Sequence, residues 1–305
     1  MDVYKTRPDE TSHRTISRQN FEEDTLCRYP WYQTNDRGKE VHVAVCPACD
    51  NPIQIIGLYK LPGNMQRPYG KHLARGVTHL AGNNPEAREN CPYFKPRQHK
   101  KTDRRESIEG TPLKILNLLI SQFDRVNYLL RRHTGIAFSK NLLRKMLSKY
   151  RSEEGYLYTG ATLMNVPWIF AYMADSQSLF NQNIGGNPEL AEAVLKHVPA
   201  ANIDPTGRVV PRTFPDGNKR FFNLEVCFIH HRQQRDSEEG GLTETMKMVV
   251  STEANGEIKE IHKKTITFDY QHFQNLINMP EGKGRRQPEL VDLAREVLGD
   301  ICGMQ

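Results

Sequence analysis

The sequence predicts an α+β protein with an N-terminal zinc-knuckle module, a central helical domain and a C-terminal antiparallel β meander with covering helices. Three observations predict it. Cys46, Cys49, His72 and Cys91 carry metal-ligand spacing. Residues 111–150 repeat apolar side chains every three or four positions, the period of an amphipathic helix. After Pro205 the period falls to two, the signature of half-buried strands.

Residues 1–40 read as a polar arm and an aromatic lead-in. Thr6, Arg7, Pro8, Asp9, Glu10, Thr11 and Ser12 show no apolar period, so the first twenty residues are expected to be loose or to order on a partner. Tyr29, Trp31 and Tyr32 gather around Pro30, either as cover for the metal module or as a stacking surface for bases.

Residues 41–110 make the metal module and its basic linker. Val41, Val43 and Val45 alternate in a strand that breaks into Cys46-Pro47-Ala48-Cys49, and a turn at a strand end brings two such thiols together. The full pattern is C-x2-C-x22-H-x18-C, a Cys3His set that closes a tetrahedral structural zinc site. A redox pair would want the first Cys at a helix N-terminus, whereas Asp50-Asn51-Pro52 is a turn. Plain buried thiols are the remaining alternative. His72 is favoured as the nitrogen ligand because Pro68 and Gly70 shape a turn before it, with His79 as the spare. Residues 52–59 form a second strand, and Asn84-Pro85 opens a short helix that delivers Cys91.

Residues 111–204 form the helical domain. Thr111-Pro112 supplies a cap and a first-turn proline. Leu116, Leu119, Ile120, Phe123, Val126 and Leu130 then predict one long helix to about residue 133. Thr134-Gly135-Ile136 turns the chain, and Ser139 caps a second helix with Leu142, Leu143, Met146, Leu147 and Tyr150 inward. The pair has the outline of a helix-turn-helix, its second helix showing Lys140, Arg144, Lys145 and Lys149, although any basic αα-hairpin shares that outline. The apolar stretch 156–173 predicts a buried helix started or kinked by Pro167, and Asn187-Pro188 opens another.

Residues 205–305 form the meander. Phe222, Leu224, Val226 and Phe228 alternate in one strand. Met246, Met248 and Val250 share a face of the next, after a loop at Glu239-Gly240-Gly241. Asn255-Gly256 predicts a hairpin turn into a third strand. A covering helix over 270–279 and a last helix from Pro288 complete the chain.

Charge points to partners. The 305 residues carry 42 Lys and Arg against 36 Asp and Glu, net +6, and what matters is how the excess is patched. One patch follows Cys91: Lys95, Arg97, Lys100, Lys101, Arg104 and Arg105. A second lies on the helices: Arg131, Arg132, Lys140, Arg144, Lys145 and Lys149. A third, Lys283, Arg285 and Arg286, precedes the last helix. The first two are the expected contacts to DNA or RNA. With no apolar run of about 18 residues and no signal-peptide core, the expectation is a cytoplasmic protein without a membrane partner.

Catalytic patterns are weak. Phosphate-binding, dinucleotide and nucleophile-elbow motifs do not occur. Asp216 and Glu225 suggest a nuclease-type carboxylate pair, but Glu225 is followed by Val226-Cys227 where a lysine at the second position is needed. His230, His231 and Glu244 are the other candidates for metal-dependent hydrolysis. The sequence therefore predicts a non-enzymatic, zinc-containing nucleic-acid-binding protein. The expected setting is a larger nucleoprotein complex with other protein subunits, in a large-subunit-like role of a guided, mobile-element or bacterial defence system. A metal-dependent hydrolase and a protein-interaction adaptor whose meander edge accepts a partner strand are the alternatives.

Overall fold

The computed structural model describes residues 1–35, 37–63, 65–235, 241–254, 256–280 and 282–303. Asn255, Glu239 and Gly240, from two expected turns, lie outside them.

The chain opens with β1 (Val3–Tyr4) paired antiparallel to β2 (Arg14–Thr15). Helix α1 (Arg18–Thr25) follows, capped by the Ser17 hydroxyl, which accepts from the Asn20 N–H at 3.1 Å. Strands β3 (Tyr32–Thr34), β4 (Glu40–Val45), β5 (Pro52–Ile56) and β6 (Tyr69–His72) form an antiparallel sheet in chain order. Its register sets Ile53 between Ala44 and His72. Helix α2 (Pro85–Glu89) is capped by Asn84, as its Asn-Pro start predicts.

The expected loose arm is instead part of this core. Met1, Tyr4, Ile16 and Phe21 are buried with Ala44, Ile53, Ile55 and the three cysteines. These apolar residues are too widely spaced to show a period, yet they cover a sheet face that the ligand residues are too few to cover.

The predicted long helix is two: α3 (Thr111–Ser121) and α4 (Phe123–Thr134), broken at Gln122. The cap of α3 is Gly110, at φ 65°, and Thr111 is already helical and buried. Asp124, in the first turn of α4, holds the break by accepting from the Arg286 guanidinium at 2.7 Å and the Gln287 N–H at 3.1 Å. The apolar stripe runs on through both helices, which is why the pattern hides the break. Gly135 ends α4 in the left-handed region that glycine tolerates. Helix α5 (Lys140–Ser152) is capped by Ser139 as predicted, and α6 (Val166–Met173) is buried at every residue, with Pro167 in its first turn. Short β7 (Gln177–Ser178), α7 (Pro188–His197) and the hairpin β8 (Ala201–Ile203) with β9 (Val209–Pro211) lead to the meander.

Strands β10 (Asn223–Arg235), β11 (Leu242–Ala254) and β12 (Glu257–Thr267) pair in the sheet order β12-β11-β10-β7. Helices α8 (Tyr270–Ile277) and α9 (Pro288–Leu298) complete the fold. Alternation turns Leu224, Val226, Phe228, Met246, Met248 and Val250 inward, where the Trp168 ring of α6 stacks on Phe268 at 4.7 Å. Helix α9 packs on α3, α4 and α5. One core therefore spans Ile115 to Leu298, and the expected boundary at 204 separates elements without separating cores. The architecture is α+β. Among the described residues no helix is long and apolar enough to cross a membrane.

Candidate metal centre and basic surfaces

The end of β4 presents Cys46 and Cys49 on a tight turn. Cys46 N–H donates to Asn51 O at 2.9 Å and Asp50 N–H to Cys46 O at 3.0 Å, with Asp50 at φ 60°. Strand β6 carries His72 to the same point, and α2 delivers Cys91 just beyond its C-terminus. The four ligand atoms lie within 4.8 Å of one another and all four residues are buried.

The edges of this group fit an ion at its centre. Metal–sulfur bonds of about 2.3 Å and metal–nitrogen bonds of about 2.0 Å make a tetrahedron with sulfur–sulfur edges of about 3.8 Å and sulfur–nitrogen edges of about 3.5 Å. Cys46 Sγ and Cys91 Sγ are 3.7 Å apart, and Cys49 Sγ and His72 Nε2 are 3.4 Å apart. Charge also asks for a cation. Burial pushes the Cys46 and Cys91 thiols well up. Burial pushes Cys49 the same way, but contacts to Cys46, Cys91 and His72 outweigh it and hold that thiol well below its usual range. Three crowded sulfurs become thiolates together only around a positive ion. The group can hold a metal ion.

Support around the ligands includes a residue that spacing alone did not reveal. Asn51, fully buried, donates from Nδ2 to Cys49 O at 3.2 Å and to Cys49 Sγ at 3.4 Å, while its Oδ1 accepts from the Asn84 N–H at 2.7 Å. It ties the knuckle to the cap of α2, hence to Cys91. Lys5, also buried, pairs with Asp50 at 2.5 Å, and Lys114 of α3 pairs with the same carboxylate. The Phe94 ring meets His72 edge-on at 5.5 Å. The spare histidine, His79, is exposed and contacts Tyr29.

The expected basic contacts divide. Lys95, Lys100, Arg131, Arg132, Lys140 and Lys145 are exposed and make no ion pair among the described residues. Arg97 is exposed and donates to Asn90. Lys101 lies over the Tyr172 ring, and Arg104 donates to the Glu153 and Lys101 carbonyls at 2.8 and 2.6 Å. Lys149 pairs with Glu153 and Asp175, both at 2.8 Å. Arg144 grips Glu296 of α9 through two bonds of 2.5 and 2.8 Å, so the outer face of α5 is turned in part onto α9 and does not stand clear as a recognition helix would.

Arg105 is a correction. It is 5% exposed and donates to the carbonyls of Tyr158 at 3.0 Å, Thr159 at 3.3 Å and Ala161 at 2.7 Å. Burial lowers its pKa to about 10. It serves the fold and faces no partner. Trp31 is likewise an anchor, its indole N–H donating to Thr6 O at 2.9 Å.

Of the candidate groups of the meander, His231 and Glu244 meet in the interior, while Glu225 and His230 lie apart from them. Glu225 stands opposite Ser251 and Glu244 opposite Gln233, eight positions along β10, or about 26 Å at a strand's rise. A register shift between Ile229 and Arg232, with His230 at φ 55°, leaves His230 exposed and His231 buried. His231 Nδ1 meets the Tyr158 hydroxyl at 3.0 Å, and its Nε2 meets Glu244. The same carboxylate accepts from Asn165 at 2.8 Å, from Gln233 at 3.0 Å and from Tyr270. Burial holds the Tyr158 and Tyr270 hydroxyls far above their ordinary range, which keeps them protonated donors. This is a buried polar network between the start of α6, α8 and the sheet, with Gln233 Oε1 left without a partner among the described residues.

Comparison of the chain with protein-family models, with curated proteins and with solved structures finds no match.

Proposed function

We propose that the protein is a non-enzymatic zinc protein that binds DNA or RNA as a subunit of a larger nucleoprotein complex. The closed Cys3His group carries this reading: soft sulfur ligands with one imidazole, at tetrahedral edge lengths and without an open position, suit a structural zinc ion. Zinc would hold the end of β4, β6 and α2 together and so fix the N-terminal core. The exposed bases Lys95, Arg97, Lys100, Arg131, Arg132, Lys140 and Lys145 would bind phosphates in a salt-dependent way. Leu26, Tyr29, Tyr59, Leu61 and Met65, all exposed near the metal group in sequence, support cover by a protein subunit. A cytoplasmic place and a role in a guided, mobile-element or defence system extend the same reading.

Elemental analysis of the native chain, paired with gel shifts of DNA and RNA at two salt concentrations, tests it. One zinc per chain and a shift that weakens steeply with salt are expected. Absence of transition metal removes the zinc, and absence of any shift at low salt removes the nucleic acid.

A further inference from the structure

We infer that the recess beside the C-terminal end of α4 takes a nucleotide unit of single-stranded nucleic acid, with Tyr128 stacked on the base and Arg131 and Arg132 on its phosphates. This rests on the reading of the chain as a nucleic-acid binder and assigns it a site. The recess has a volume of about 310 Å³ and is lined by Tyr128, Arg131, Arg132, Gly135, Asn183 and Gly186, at the small end of the range for ligand pockets.

Three features give it this chemistry. Tyr128, Arg131 and Arg132 stand at i, i+3 and i+4, so a helix places them on one face. Tyr128 is 44% exposed, and its ring meets His272 edge-on at 6.2 Å, which leaves ring surface to solvent. Both arginines are exposed without an ion pair among the described residues, in contrast to Arg144 and Arg151, which α9 and the turn after it neutralise through Glu296 and Asp300.

The wall opposite is built around two glycines, Gly135 and Gly186. A Cβ at Gly135 would lie 2.5 Å from Gly186 O, so these two residues meet backbone to backbone, and Ala137 N–H donates to Asn183 O at 2.8 Å. A third cation reaches the same helix end: Lys264 of β12 donates to His133 O at 2.7 Å. Nearby Asp269 is engaged as the cap of α8, accepting from the His272 N–H at 2.9 Å. Glu189 opens α7 close to His262. An exposed aromatic one helical turn from two arginines is what a splayed base and its phosphates require. A duplex keeps its base faces covered and offers nothing to Tyr128.

The test uses the full metal-loaded chain and fluorescence anisotropy with a labelled single-stranded oligonucleotide of about 12 nucleotides, long enough for a typical site, and with its duplex, over a series of salt concentrations. Tyr128→Ala should weaken single-strand binding about tenfold or more, Tyr128→Phe should restore it, and duplex binding should not change. The double variant Arg131→Ala, Arg132→Ala should lower the slope of log affinity against log salt by about 1.4, at about 0.7 per phosphate contact. If the wild type binds single strands and these variants bind equally well, or if it binds duplex alone, the recess is not the site while the broader reading stands. If the wild type binds no nucleic acid at low salt, the broader reading fails and takes the recess with it.

Discussion

Replacing Cys91 with alanine should melt the N-terminal core and leave the larger core standing. Cys91 is 1% exposed, its Sγ lies 3.7 Å from Cys46 Sγ, and it is the candidate ligand that α2 brings to the sheet. Structural zinc contributes about 10–16 kcal/mol in finger-type peptides. One ligand of four then accounts for about 3–4 kcal/mol. A small core has only about 5–15 kcal/mol in total, and each kcal/mol moves the midpoint of a domain near 100 residues by about 4–8 °C. The N-terminal transition should therefore fall by about 20 °C. Most apolar residues of 115–298 share a second core; Met164 and Tyr270 pack against the first and the reciprocal bonds of His13 and Gln274 at 2.9 and 3.0 Å add polar links, so the transition of the larger core should move less. Scanning calorimetry with zinc determination on the same sample reads both effects. A Cys91→Ala chain that keeps one zinc and melts like the wild type would refute the argument.

Further expectations follow from buried polar groups. Burial, helped by Arg97 and His231, holds the imidazole of His99 down at about 4, against about 6.5 in an unfolded chain. The unfolded chain takes up a proton that the fold refuses, so this contribution is intact above about pH 6.5 and is lost as pH falls towards 4. The difference is worth about 3 kcal/mol; His99→Gln should flatten the stability slope in urea melts between pH 7 and 4.5, and parallel slopes would count against it. Glu244→Ala strands His231, Asn165, Gln233 and Tyr270 in the interior and should cost about 3–5 kcal/mol in a urea titration; a loss below about 1 kcal/mol would mean that the network is not what holds α6 to the sheet. Arg105→Met should destabilise the fold by about 2–4 kcal/mol, through the carbonyls of Tyr158, Thr159 and Ala161, while nucleic-acid affinity per folded molecule is unchanged. A drop in affinity without loss of stability would restore Arg105 to the surface set.

Much of the fold is written in short-range signals. The Cys-x2-Cys turn, the caps at Ser139, Asn84 and Asn187, and the alternation of Leu224, Val226 and Phe228 each depend on neighbours a few positions away, and each takes the predicted form. The structure gathers His72, not His79, with the three cysteines, but not by the turn expected at Pro68 and Gly70: Tyr69–His72 is strand β6, and its pairing with β5 sets His72 opposite Ile53. Other features rest on distant residues. The break at Gln122 leaves the apolar period intact and is held by Arg286, 162 positions from Asp124. The burial of Met1, Tyr4 and Ile16 depends on a sheet that has not yet appeared when the chain is read from its start.

The sequence by itself determined the α+β class, the four candidate metal ligands, the capped helices α2, α5 and α7 and the strands of the meander, because periodicity, capping and ligand chemistry are properties of adjacent residues. Only the tertiary structure decided which charges reach solvent. Arg105 and Arg131 are indistinguishable in a sequence, but one is folded under three carbonyls and the other stands exposed beside Tyr128. The desolvation that separates them is set by what packs above each side chain, and that comes from residues far along the chain.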